Sequence, residues 1–185
     1  MLNSKLQLII DNLKSLINEM KNSDLHLKIP PGFISSLGEF IVFSKILQTD
    51  TKSELKSGHT GADIKLSNGR KIEVKTARIN KDYKDYMHWG FGRIKPEKFD
   101  YLVCVALDEN LNPDFYMFKR DEAMNFPTEK EAHEGRTTRF NSSEGRTFHR
   151  FKIEYEKSQR SKILIEVNRN IKNYEDRWDI LFTQT

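Results

Sequence analysis

The sequence predicts an α/β protein, a β-sheet with helices packed against it, and three observations predict it. Apolar residues recur at helical spacing over residues 3–22 and again over about 37–48. Apolar and polar residues alternate on both sides of Ser67-Asn68-Gly69, the pattern of a β-hairpin. Phe99 to Leu107 is a near-continuous apolar run bounded by charge, as expected of a strand buried on both faces.

The first helix carries Leu6, Ile9, Ile10, Leu13, Leu16, Ile17 and Met20 as one buried stripe, which suits packing inside the domain and would also serve a dimer seam. Asn22 to Gly32, with Pro30-Pro31, reads as a loop. The second helix, about Leu37 to Gln48, carries Phe40, Ile41, Phe43, Ile46 and Leu47, and Glu39 lies near its start. Ser36 and Glu39 match a capping box, in which the glutamate reaches back to the cap residue's amide; the alternative for Glu39 is a catalytic role. Thr49 to Lys56 holds a short strand. Beyond the central strand, Phe115 to Phe118 forms another, Lys119 to Asn125 a short helix, and Ile163 to Tyr174 a C-terminal helix, after which Trp178, Ile180, Leu181 and Phe182 pack.

The register of the hairpin decides its chemistry. A two-residue Asn68-Gly69 loop would set Ile64 against Glu73 and mix apolar with charged residues on each face. A three-residue loop, with Gly69 in the left-handed position, pairs Ile64 with Ile72 and Asp63 with Glu73. The second register gives one apolar face (Ala62, Ile64, Leu66, Ile72, Val74) and one polar face (Asp63, Glu73, Lys75). Two carboxylates directly across a strand pair have Cβ atoms about 5 Å apart and repel. Compensation comes from a cation between them, from Lys75 beside them or from a shared proton. Oxygen ligands of this kind suit a hard cation such as Mg2+. Thr76 points to the opposite face and stays out of the site.

Composition limits the function classes. The 185 residues suffice for one domain with a substantial core. The longest apolar run, Tyr101 to Leu107, is far too short to cross a bilayer, and the start Met1-Leu2-Asn3-Ser4-Lys5 lacks a signal-peptide pattern, so no membrane partner and a cytoplasmic location are expected. Cys104 lies inside that run, which assigns it to core packing. No phosphate-binding glycine motif or zinc-ligand spacing is present.

The net charge of +4 suits a polyanionic partner, and the basic residues cluster. Arg78, Lys81, Tyr83, Lys84, Tyr86, His88, Trp89, Phe91, Arg93 and Lys95 interleave cations with aromatics, a pattern that serves stacking and phosphate contact on nucleic acid or, equally, packing of a surface helix and loop on the sheet. Glu134 to His149 reads as a long loop or extended hairpin. From Arg136 to Lys162 there are eight Lys and Arg against three Glu, a local excess of +5 that exceeds the charge of the whole chain. Its Arg136, Arg139, Arg146 and Arg150 are candidate DNA contacts, with Lys81, Lys84, Arg93 and the loop residue His59. The alternatives are a solvated charged loop and an exposed loop histidine.

A helix with Glu39, a strand with Gly61-Ala62-Asp63-Ile64, a turn and then Glu73-Val74-Lys75 resembles the PD-(D/E)XK nucleases, the superfamily that includes many type II restriction endonucleases and Holliday junction resolvases. Ala62 stands where the motif's name has proline. The resemblance covers Leu37 to Ala77 well and the following strands loosely. It implies a restriction-endonuclease-like core, a mixed β-sheet flanked by helices in the order α-β-β-β-α-β, over about 33–125 of a single domain 1–185, with the helix 3–22 and the basic loop and helix 134–175 as additions.

By the same resemblance, the expected activity is Mg2+-dependent hydrolysis of DNA phosphodiesters, with Mn2+ able to substitute. Asp63, Glu73 and the Val74 carbonyl would hold the ion, Lys75 would orient or deprotonate the attacking water, and Glu39 would bind a second ion or a metal-bound water. A sequence-specific type II restriction endonuclease, acting as a homodimer on double-stranded DNA, is the expected member. A structure-selective repair or recombination nuclease, a non-cleaving DNA-binding module on the same fold and a metal-dependent enzyme of small phosphorylated molecules are the alternatives.

Overall fold

The computed structural model describes residues 2–23, 27–56, 61–81, 87–125, 140–141, 147–154 and 171–183. Two helices lead: α1 (Leu2–Asn22) and α2 (Pro31–Ile46). Then come β1 (Glu54–Leu55), β2 (Ile64–Lys65), β3 (Lys71–Arg78), β4 (Asn80–Lys81), β5 (Met87–Ile94), β6 (Tyr101–Leu107), β7 (Pro113–Lys119), α3 (Arg120–Asn125), β8 (Phe140–Asn141) and β9 (Thr147–Glu154).

The chain is α/β, with a mixed five-stranded open sheet in the order β1-β2-β3-β6-β7 and a second, four-stranded sheet β4-β5-β9-β8. Within the first, only β3 and β6 run parallel. The expected order places a helix between the third strand and its parallel neighbour. The described residues of that connection form strands β4 and β5 and a 3-10 turn at Pro96–Lys98, and β5 is a strand because the apolar members of 87–94 alternate at the period of one.

Strand β6 is buried at every residue, as its unbroken apolar run predicts. Its residues divide by parity. Tyr101, Val103, Val105 and Leu107 join Ile64, Leu66, Ile72, Val74, Phe115 and Met117 in a core under α1 and α2. Leu102, Cys104 and Ala106 join Trp89, Phe91, Ile94, Phe99 and Phe118 on the other face. Cys104 is free and fully enclosed, and burial pushes its thiol pKa up, in keeping with a packing role.

Helix α2 begins six residues earlier than expected. Pro31 takes the first helical position, where a missing N–H costs nothing and the fixed φ is already helical. Ser36 therefore lies inside the helix and cannot cap it, so the capping-box explanation of Glu39 fails. Helix α1 packs on α2, and the Ser44 hydroxyl donates to Asn3 Oδ1 at 2.7 Å. Leu6, Ile10 and Ile17 are buried there, whereas Ile9 and Leu16, expected in the same stripe, stand exposed because the apolar arc is wider than the surface α2 covers.

Phe140–Asn141 pairs with Phe148 and Thr147, so the described part of the basic region is a hairpin. Of the helix expected over 163–174, Ile171 to Tyr174 alone is described, and a 3-10 turn there stacks Tyr174 on Phe118 at 4.5 Å between ring centroids. Trp178, Ile180, Leu181 and Phe182 pack on the α2 side as expected. Among the described residues no helix is long and apolar enough to cross a membrane.

Candidate active site

The hairpin adopts the three-residue loop. Ile64 pairs with Ile72 and Lys65 with Lys71, the Leu66 amide donates to the Arg70 carbonyl at 2.9 Å, and Gly69 sits at φ +87°. The turn is also tied down from outside. Asp50, beyond the end of α2, accepts hydrogen bonds from the Ser67 amide and the Ser53 hydroxyl, each at 2.8 Å. These bonds, with one from the Lys52 amide, outweigh the upward push of partial burial and hold the Asp50 carboxyl below its ordinary pKa.

The register sorts the side chains as the alternation predicts. Ala62, Ile64, Leu66, Ile72 and Val74 are all buried in the apolar interior, and Asp63, Glu73 and Lys75 share the other face. The β2–β3 ladder stops at Ile64, and the Asp63 side chain continues it: the Val74 amide donates to Asp63 Oδ2 at 2.7 Å. That bond orients one carboxylate against the strand that bears the other.

Glu73 is 6% exposed. Its Oε1 accepts from Lys75 Nζ at 2.5 Å, while Oε2 is buried with no hydrogen-bond partner. A buried carboxylate oxygen without a partner is costly, and water or an ion bound there would complete its shell. Asp63 is half-buried. Burial foremost, then the charge of Glu73, raises its pKa, against the Val74 amide and the ammonium groups of Lys75 and Lys98. Glu39 joins them from α2: its carboxyl is raised to about 7, chiefly by burial and next by Asp63, with Lys75 opposing and Glu73 adding.

One residue that positions Glu39 escapes the sequence reading. A Cβ on Gly38 would lie 1.8 Å from Thr76 Oγ1, so α2 touches β3 at a point only glycine allows. A glycine inside an apolar helical pattern is the available signal. Thr76 faces α2, away from the carboxylates, as its register position predicts, and its hydroxyl is buried without a hydrogen-bond partner.

The chemistry of the donor set fits a hard cation: carboxylate oxygens, one of them unsatisfied, with Lys75 bonded to Glu73. Among the described residues no three carboxylate, His or Cys side chains converge into a ready-made metal cage. An ion here would draw on Asp63 and Glu73 and complete its shell with water or phosphate oxygens, which is the habit of Mg2+.

The expected nucleic-acid contacts divide. Lys81 falls on β4, Arg93 on β5 and Arg150 on β9, all strands of the second sheet. Arg93 is exposed at a register shift between Phe91 and Ile94, with φ +57°. His59, Lys84, Arg136, Arg139 and Arg146 lie outside the described residues. Trp89 and Phe91 are 2% and 1% exposed, so they are core residues, unavailable to stack on bases; the strand period turns them inward, and the Trp89 indole N–H donates to the Leu107 carbonyl at 2.8 Å. No protein-family model matches this sequence, and the search of curated proteins returns no match.

Proposed function

We propose that this chain is a Mg2+-dependent DNA endonuclease with a restriction-endonuclease-like core of the PD-(D/E)XK type, and that it cuts double-stranded DNA at a specific sequence. The observation that carries this reading is the pair Asp63 and Glu73, brought to one face beside Lys75, with Glu73 Oε2 buried and without a hydrogen-bond partner.

Asp63 and Glu73 would hold the ion. Mg2+ bound there supplies Lewis acidity toward a phosphate oxygen and lowers the pKa of water. The chain's own groups do the rest. The Val74 amide keeps Asp63 in its rotamer. Lys75 Nζ, on Glu73 Oε1 in the free protein, orients the attacking water and offsets the charge that gathers on the phosphate as a P–O bond to water forms and the P–O bond to the leaving sugar oxygen breaks. Glu39, half-buried and coupled to the same charges, supplies a further oxygen for water. The leaving oxygen takes a proton, so the net reaction is addition of water across one phosphodiester.

Incubation of the protein with plasmid and Mg2+ tests the reading. Discrete fragments are expected from the wild type and none from Asp63→Asn, which retains an oxygen to accept from Val74 but loses the charge. Cleavage confined to branched DNA would reassign the chain to structure-selective nucleases. Full activity of Asp63→Asn or Lys75→Ala, or no cleavage of any DNA by the wild type, would overturn the assignment.

A further inference from the structure

Strands β2 and β3 carry a second like-charged pair on the face that holds Asp63 and Glu73. Lys65 stands directly across the ladder from Lys71, and both are exposed. Lys71 turns its backbone hydrogen bonds away from Lys65: the Asp100 amide donates to its carbonyl, and its own amide donates to Asp100 Oδ2, each at 2.9 Å. Lys65 and Lys71 therefore form a non-hydrogen-bonded pair, the kind in which facing side chains come closest, and two ammonium groups so placed repel. The carboxylates on either side are already matched. Glu54, opposite Lys65 on β1, pairs with Lys56. Asp100 accepts from Arg120 through Oδ1 at 2.6 Å and from the Lys71 amide through Oδ2. Among the described residues neither Lys65 Nζ nor Lys71 Nζ makes an ion pair.

We infer that Lys65 and Lys71 clamp one phosphate of a DNA strand, the neighbour of the phosphate that Asp63 and Glu73 address, and so register the strand over the carboxylates. The lysine row lies two residues from Asp63 on β2 and two from Glu73 on β3, about 7 Å along the strands toward the turn. That separation suits the step between adjacent phosphates of one strand. An anion between the two ammonium groups converts their repulsion into attraction to a shared centre. Holding it fixes the scissile phosphate in place before the chemistry begins. The contact is to backbone alone and carries no sequence preference. The inference rests on the proposed function for the identity of the anion and assigns two residues that the catalytic constellation does not use.

Binding of a labelled DNA duplex to the full chain in Ca2+, followed by fluorescence anisotropy over a range of salt, reads phosphate contacts without cleavage. In the double variant Lys65→Gln with Lys71→Gln, the slope of log affinity against log salt should fall by about one, since the two lysines share a phosphate. Lys5→Gln, at an exposed position of α1, should leave the slope unchanged. A double variant with the wild-type slope, or an equal fall in Lys5→Gln, overturns the clamp, and a fall of about two overturns the sharing. In cleavage by the wild type, a neutral methylphosphonate at one of the two phosphates flanking the mapped cut should slow the reaction about tenfold, and it should slow the double variant no further. Equal slowing of both proteins overturns the placement. Cleavage by the wild type with an unchanged slope in the double variant overturns the clamp alone. A lowered slope with no cleavage of any DNA keeps the phosphate contact and overturns the nuclease, and a wild type that binds no duplex overturns both.

Discussion

Gly38 of α2 and Thr76 of β3 meet with no room for a side chain on the helix: a Cβ on Gly38 would lie 1.8 Å from the threonine Oγ1 and 2.8 Å from both its Cβ and Cγ2. Rotating the hydroxyl cannot relieve all three contacts. Gly38→Ala must therefore lift α2 from the sheet, and it should lower stability to urea by about 1–3 kcal/mol, the usual cost of overpacking. Thr76→Ala alone should cost little, since it deletes a buried hydroxyl with no hydrogen-bond partner. In the double variant part of the loss should return. Equal losses in Gly38→Ala and the double variant would show that the contact is not tight.

Gly69 is the converse case. Nothing lies within 4 Å of a Cβ placed there, so only its φ of +87° opposes substitution. Gly69→Ala should cost about 1 kcal/mol in thermal unfolding, and Gly69→Asn less, because asparagine tolerates the left-handed region better than alanine. Ranking the two variants by melting temperature checks the conformation independently of packing.

Lys75→Met removes the ammonium that neutralises Glu73 Oε1 and leaves a buried carboxylate less compensated. With the lysine partly open to solvent, the loss should be about 2 kcal/mol, below the roughly 3–5 kcal/mol of a fully buried broken pair. If the site takes a hard cation, Mg2+ should raise the melting temperature of this variant more than that of the wild type. Equal responses would argue against an ion at Glu73.

Asp50 predicts an acid signature. Its carboxyl has a lower pKa folded than unfolded, so the stabilisation is complete above the ordinary carboxylate pKa and fades as pH falls through the folded value. Asp50→Asn should cost about 1 kcal/mol at neutral pH, through weaker bonds to Ser67 and Ser53, and the difference from wild type should shrink below about pH 4. Urea unfolding of both proteins at the two pH values measures it.

The hairpin was legible in the sequence because its alternation allows one register with a single apolar face, and that register alone determines which way Asp63 points. Strand β6 was legible because only a strand enclosed on both faces accommodates seven buried residues in a row. The start of α2 was not: Pro30-Pro31 reads as a break, and whether a proline ends a loop or opens a helix depends on the backbone around it. Nor was the β4–β5 connection, where cations beside Trp89 and Phe91 look like a binding surface until burial separates inward from outward residues. The site divides along the same line. The shared face of Asp63, Glu73 and Lys75 follows from local pattern, although the cross-strand pairing expected of Asp63 and Glu73 is not formed, the ladder ending at Ile64. The arrival of Glu39 depends on a helix–strand contact at Gly38, for which a glycine within an apolar helical pattern is the one local signal and does not name Thr76 as its partner.

Each apolar cluster carries its own fluorophore. The chain has two tryptophans. Trp89 is enclosed among the β5 side chains with its indole bonded to Leu107, and Trp178 lies edge-on to Phe115, 5.1 Å between centroids, on the face that packs the helices. Emission from a chain retaining Trp89 alone reports the strand-covered side of the sheet, and emission from one retaining Trp178 alone reports the helix-covered side. Unfolding followed in the two single-tryptophan proteins would therefore reveal whether the two halves of the interior melt together or in turn.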